Sequence, residues 1–216
     1  MADLIQKHGL SYVVSKLLGF GSILGSCFYK LPIFLNIMKA KSCQGLSVIS
    51  LYLEGSSYFA NIIYNINRRN SFSSFGDLII VWVQIFLMIA LSWTLGFGEK
   101  QISASHKILV SFGFLLYFYT VVFLIPVALT PYLIIYSITV SMLSKLPQIY
   151  QNYRDKSTGV QSSITAANAM FGPVVKIYIA LAETGDHLMM IYSVVLFSLN
   201  FILFSQILLY QKPKQE

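Results

Sequence analysis

Charge is scarce in this sequence: only 11% of its residues are Asp, Glu, Lys or Arg. A soluble domain of this length carries about twice that share, so a water-soluble globular fold is excluded. Cysteine is almost missing. Cys27 and Cys43 are the two; their spacing suits no metal site, and no disulfide is expected. The three histidines, His8, His106 and His187, are dispersed. No HExxH, GxSxG, phosphate loop or clustered Asp pair occurs, so the common signatures of hydrolytic and nucleotide chemistry are lacking. We expect no enzyme activity, no cofactor and no metal. Met1 to His8 are polar, and no small-residue cleavage site follows the first apolar run. That run is therefore expected to be a retained helix rather than a signal peptide. Basic and aromatic residues do not interleave in a nucleic-acid motif, and no nucleic-acid partner is expected.

What the chain has in plenty is apolar sequence. Of its 216 residues, 56% are hydrophobic, and mean hydropathy is +0.69. Several apolar runs reach about 20 residues, the length that crosses a ~30 Å hydrocarbon core. Polar or turn-forming breaks divide the chain into seven spans, at about 17–38, 46–66, 75–95, 107–125, 132–153, 164–181 and 188–210. Each is predicted to be helical throughout, because backbone exposed to hydrocarbon has no other way to satisfy its polar groups.

One element occurs twice, about 115 residues apart. Lys30-Leu31-Pro32, then Lys41-Ser42 and Ser47, is answered by Lys145-Leu146-Pro147, then Lys156-Ser157 and Ser162. The same offset places Ser22, Ile23, Ser26 and Ile49 on residues of their own type, the last of them on Ile164. Spans one to three are thus repeated by spans five to seven, and span four links them. An odd linker gives both units the same orientation, a parallel repeat about an axis along the membrane normal. The predicted fold is an all-α polytopic membrane protein: two parallel three-helix bundles joined by a linker helix.

Net charge is +7, and the basic residues sit in short loops and the tail. With the N-terminus outside the cytosol, the cytosolic side holds Lys39, Lys41, Lys100, Lys107, Arg154, Lys156, Lys212 and Lys214, and the other side Lys7, Lys16, Arg68 and Arg69. The positive-inside rule favours that orientation, and the loop lysines suit anionic lipid headgroups. Lys214 and Lys212 stand third and fifth from the end of the sequence. They have the form of a dilysine retrieval signal, or of an ordinary basic tail.

Candidate functional residues are those that apolar spans tolerate badly. Glu54 lies inside span two, where a charge costs at least ~2.5 kcal/mol and needs a partner. Lys176, in span six, is its expected counterpart, as a headgroup or proton site or as a structural ion pair. Lys30 and Lys145 precede the two prolines and either present cations to a phosphate or snorkel to headgroups. Asn61, Gln84, Asn168 and Asn200 are intramembrane amides that either bond neighbouring helices or line a path. Pro32 and Pro147 should kink their helices, as hinges or as fixed bends. Gly21 and Gly25 have the spacing for close helix packing. Glu183 and Asp186 fall in a loop on the non-cytosolic side. They are read as touching a cation or sugar hydroxyls, or as a solvated turn with Asp186 capping the next helix.

The run Lys145-Leu146-Pro147-Gln148, followed by Lys156-Ser157-Thr158-Gly159, resembles the PQ-loop repeat. The first copy departs from it, with Ile33 where the motif has the glutamine that Gln148 supplies. Within PQ-loop proteins, the stretches Lys39 to Ser47, Phe72-Ser73-Ser74-Phe75-Gly76-Asp77 and Glu183 to Met189 resemble the mannose-P-dolichol utilisation defect family. The resemblance implies a seven-helix endoplasmic reticulum membrane protein. It implies a requirement for using dolichol-phosphate mannose and dolichol-phosphate glucose in lumenal glycan and glycolipid-anchor synthesis. Membrane lipids, dolichol-phosphate sugars and lumenal glycosyltransferases are the implied partners. In those terms residues 1–16 are a lumenal segment, 17–95 and 132–210 the two repeats, 96–131 the linker, and 211–216 a cytosolic tail. Two other readings stand beside it: a small-solute transporter of the PQ-loop architecture, and a structural or assembly subunit of a membrane complex.

Overall fold

The computed structural model describes residues 9–43, 47–96, 101–156 and 163–210. Lys212 and Lys214 lie outside them. The described residues are helical almost throughout: α1 (Leu10–Ser26), α2 (Leu31–Ala40), α3 (Val48–Asn67), α4 (Phe72–Leu95), α5 (Ala104–Tyr119), α6 (Pro131–Asp155), α7 (Ser163–Ile179) and α8 (His187–Tyr210). π-helical turns extend α5 through Thr120–Leu124 and α7 through Ala180–Thr184. α1 and α2 make up the first span, so the helices form a seven-span arrangement, as expected.

Local chemistry sets the ends. The Ser47 and Ser103 hydroxyls accept the N–H groups of Ser50 and His106 and start α3 and α5, capping donors that have no partner within the helix. Pro131 opens α6, where a missing N–H costs nothing. Lys41 and Lys156, partners in the repeat, both close their helices with a positive φ. α4 and α8 share their bounds once the repeat offset is applied.

Among the described residues, five helical stretches are long and apolar enough to cross a membrane: Leu10–Lys39, Phe72–Leu95, Ala104–Leu124, Val127–Arg154 and His187–Tyr210. α3 and α7, the middle helices of the two repeats, are not among them. In α3 the cause is visible: it carries Glu54, Ser56, Ser57, Asn61 and Asn65, and turns Ser57, Asn61 and Asn65 inward.

The chain forms two compact units, Phe20–Ser137 and Met1–Gly19 with Ile138–Glu216. In the first, α3 and α4 make a hairpin around Leu51, Ile85, Met88 and Ile89. α5 joins through rings: Phe118 lies 4.3 Å from Phe59 and 5.8 Å from Trp82, centroid to centroid. The opening of α6 is tied in by Ser137 Oγ, which donates to the Ser57 carbonyl at 3.0 Å. Close approach occurs at Gly76, where a Cβ would meet Ile23 and Phe72 at 2.8 Å. It does not occur at Gly21 or Gly25, where a Cβ would meet nothing within 4 Å; the expected close-packing stripe on α1 is open. In the second unit α7 and α8 form the matching hairpin, joined by the start of α1.

Candidate functional site: a charged pair at a helix break

The first span is broken where Pro32 stands. α1 stops at Ser26, residues 27–30 turn, and α2 restarts at Leu31 with Pro32 in its first turn. Pro32 was expected to kink a continuous helix; instead it begins a new one, where its missing N–H is harmless. Across the break the N–H groups of Cys27, Phe28, Tyr29 and Leu31 bond the carbonyl three residues back, and Gln84 of α4 adds three bonds to the turn. Its Nε2 donates to the carbonyls of Ser26 at 2.9 Å and Cys27 at 3.1 Å, and its Oε1 accepts the Lys30 N–H at 3.2 Å.

The break aims the Lys30 side chain at α3. Lys30 Nζ donates to both Glu54 oxygens, at 2.8 and 2.9 Å, and lies 5.4 Å from the centre of the Tyr29 ring. The lysine side chain is 11% exposed and the carboxylate 31%, so the anion is the outer member of the pair. The sequence reading gave Glu54 to Lys176; the structure pairs it with Lys30, in its own repeat. Lys176 sits half-buried in the last turn of α7.

Beside the pair is a crevice of about 160 Å³. Leu31, Phe34, Leu87 and Met88 wall it, and Lys30 and Gln84 supply its polar edge. Cys27 also lines it and is exposed, while Cys43 is 1% exposed. Burial pushes the Cys43 thiol up from its ordinary value, which leaves Cys27 the more reactive of the two.

The second repeat builds the equivalent place differently. α6 runs unbroken through Pro147. Lys145 Nζ donates to Asn200 Oδ1 at 2.8 Å, and Asn200 Nδ2 donates to the Ala169 carbonyl at 2.8 Å. Ala169 is the repeat partner of Glu54. Further along α6, Gln206 Nε2 donates to the Ile149 carbonyl and its Oε1 accepts from Asn152, at 2.9 and 3.1 Å.

Both repeats match the family described as PQ loop repeat, over residues 14–74 and 130–188, together more than half of the chain. The chain belongs to the PQ-loop repeat family. Its fold is also similar to that of a eukaryotic SWEET transporter determined at 3.7 Å, with a TM-score of 0.70 over 93% of this chain and 97% of that one, at 15% identity. At that identity the likeness speaks for the fold.

The remaining residues singled out by sequence take mixed roles on this PQ-loop scaffold. Gln148, the glutamine of the motif, is exposed on α6, and Ile33, in its place in the first copy, is exposed on α2. Asp186 caps α8: its Oδ1 accepts the N–H groups of Leu188 and Met189, at 3.0 and 3.2 Å. Glu183 is not in an open loop. It lies in the π-helical turn after α7, 5% exposed, and pairs with Lys16 at 2.7 Å while accepting from Ser15 at 3.1 Å. A ladder of amides runs from Asn70, just past α3, to Asn65 and Asn61 within it, with bonds of 2.9 and 2.8 Å. Asn65 Nδ2 also donates to the Asn61 carbonyl, which fixes the polarity of the ladder and leaves Asn61 Nδ2 without an acceptor among the described residues.

Sequence reading underrated Gln84, counting it among four intramembrane amides. The available signal was its register: shifted by the repeat offset it falls one residue from Asn200, and both amides are then found serving the Lys-Leu-Pro segment of their own repeat.

Proposed function

We propose that this PQ-loop protein is a non-enzymatic factor of the endoplasmic reticulum membrane that moves or presents the headgroups of dolichol-phosphate mannose and dolichol-phosphate glucose for lumenal glycan and glycolipid-anchor synthesis. The N-terminus is then lumenal and the C-terminus cytosolic. The observation that carries this reading is the Lys30–Glu54 pair, charged, within the span and set beside an apolar crevice. Charged groups at that depth are expensive and mark ligand paths. Apolar walls next to a charged edge suit an amphipathic lipid better than a free sugar, whose many hydroxyls each need a partner. The segments that resemble the mannose-P-dolichol utilisation defect family point the same way.

The test is to express the chain in cells lacking their own copy and to profile lipid-linked oligosaccharides. Full-length precursors should return with the wild-type chain and fail to return with Glu54→Gln at equal protein level. Precursors that stay truncated despite correct insertion overturn the proposal. The fold likeness to a SWEET transporter favours a second reading, carriage of a small solute by alternating access; uptake of sugars and amino acids into vesicles holding the purified protein tests it.

A further inference from the structure

We propose that Lys30 and Glu54 form a two-part site that reads both halves of a glycosyl phosphate carried on an isoprenoid chain: Lys30 takes the phosphodiester, Glu54 accepts the sugar hydroxyls, and the crevice takes the head-proximal end of the chain. This deepens the function proposed above and rests on it.

The argument begins with compensation. With no ligand, each charge satisfies the other through the two short bonds from Nζ. Inside an apolar span such a pair is stable only while both charges are matched. A ligand bringing an anion alone takes Lys30 and strands Glu54. A ligand bringing hydroxyls alone takes Glu54 and strands Lys30. A glycosyl phosphodiester carries one negative charge with a ring of hydrogen-bond donors beside it, and so replaces both partners in one step. A bare lipid phosphate offers at most a single P–OH donor in place of a ring of hydroxyls, and it is a phosphomonoester of charge about −1.5 to −2 at neutral pH, which Glu54 repels.

The order of groups also fits. Lys30 lines the crevice; Glu54 does not, and is the more exposed of the two. Moving outward, the protein offers apolar wall, cation, carboxylate. The ligand offers chain, phosphate, sugar, in the same sequence. The crevice, at about 160 Å³, is the size of cavities of about 150 Å³ that take a benzene-sized apolar group, so it holds the start of a chain and no more. Gln84, with its amide engaged by three backbone groups, serves as fixed wall.

Cys27 gives the readout, since it is exposed in the crevice while Cys43 is buried. The purified full chain is alkylated with N-ethylmaleimide and followed by mass, with three probes: a short isoprenyl phosphate bearing mannose, the same isoprenyl phosphate without sugar, and mannose 1-phosphate. At ten times its dissociation constant a bound probe leaves about a tenth of sites empty, so the glycosylated lipid should slow Cys27 alkylation about tenfold and the bare lipid clearly less. Glu54→Gln should abolish that preference. Lys30→Gln should lose protection by both lipids, and Lys30→Arg, which preserves the pair and guards against misfolding as the explanation, should retain it. Equal protection by the two lipids in the wild-type chain, or a preference that survives Glu54→Gln, overturns the two-part assignment and leaves the proposed function standing. Protection by mannose 1-phosphate with neither lipid acting overturns both in favour of a solute. No protection by any probe removes the crevice as the site, while the precursor profile still tests the function separately.

Discussion

Lys30-Leu31-Pro32 and Lys145-Leu146-Pro147 are the same three residues in the same register of two repeats, yet the first sits at a helix break and the second inside an unbroken helix. The difference does not come from the tripeptide. In the first repeat Gln84 reaches across from α4 to serve two carbonyls and one N–H, so the turn of residues 27–30 is satisfied. In the second, Asn200 is engaged by Lys145 and by the Ala169 carbonyl. The partners of the lysines diverge as well: a carboxylate for Lys30, a neutral amide for Lys145. A proline in a membrane helix only permits a break, and the neighbouring helix decides whether one forms.

The largest expected effect lies in the lysines. Lys30→Gln leaves the partly exposed Glu54 carboxylate without its cation and should cost about 1.5–3 kcal/mol, the range for hydrogen bonds to charged groups. Lys145→Gln leaves an amide that can bond to another amide, and should cost about 1 kcal/mol. Thermal unfolding in detergent compares them directly; equal losses would dissolve the contrast between the repeats.

The prolines should differ in sign. Pro147 lies inside α6, where a proline removes a helical hydrogen bond and costs up to about 3 kcal/mol. It is exposed, so Pro147→Ala loses little packing and should stabilise by about 1–3 kcal/mol. Pro32 is also exposed but occupies the first turn of α2, and Pro32→Ala should change stability by no more than about 0.5 kcal/mol. If Pro32→Ala stabilises as much as Pro147→Ala, the break is imposed by proline rather than held by Gln84.

Gln84 itself is the third test. Gln84→Leu removes three hydrogen bonds at once and should cost about 2 kcal/mol, allowing for partial replacement by other donors. The local readout is sharper: amide exchange of Lys30, whose N–H bonds to Gln84, should accelerate while the middle of α4 stays protected.

Much of this architecture was legible in the sequence, because it depends on periodic and additive features. Apolar length marked the spans, and residues shared at one offset marked the repeat. Asp186 was readable as a cap from its position just ahead of an apolar run. What was not legible depends on which side chains meet. Glu54 was known to need a cation, but choosing Lys30 over Lys176 requires the break that swings Lys30 toward α3, and that break rests on a glutamine more than fifty residues away. Glu183 read as a loop residue because Gly185 follows it closely. The π-helical turn keeps the helix going to Thr184, and Lys16 and Ser15 draw the carboxylate inward. Gly21 and Gly25 have a packing motif that no described residue packs against within 4 Å of an added Cβ; spacing names a face and does not supply its partner.

The smallest difference between the repeats lies at their last helices, and it is the cleanest to measure. α4 and α8 begin at equivalent residues, after Ser71 and Asp186. The Asp186 carboxylate accepts two N–H groups of the first turn of α8, a cap whose removal costs about 1 kcal/mol. Ser71 makes no side-chain cap; its hydroxyl turns to Ser73 at 2.9 Å, and Ser74 Oγ donates to its carbonyl. Asp186→Ala should therefore lower stability by about 1 kcal/mol and Ser71→Ala by a few tenths. Ser71→Asp should recover for α4 part of what α8 has, since a carboxylate at a helix start also meets the positive end of the helix dipole. If Ser71→Ala costs as much as Asp186→Ala, the serine bonds carry the start of α4 as fully as a cap does, and the two ends are equivalent in energy despite their different chemistry.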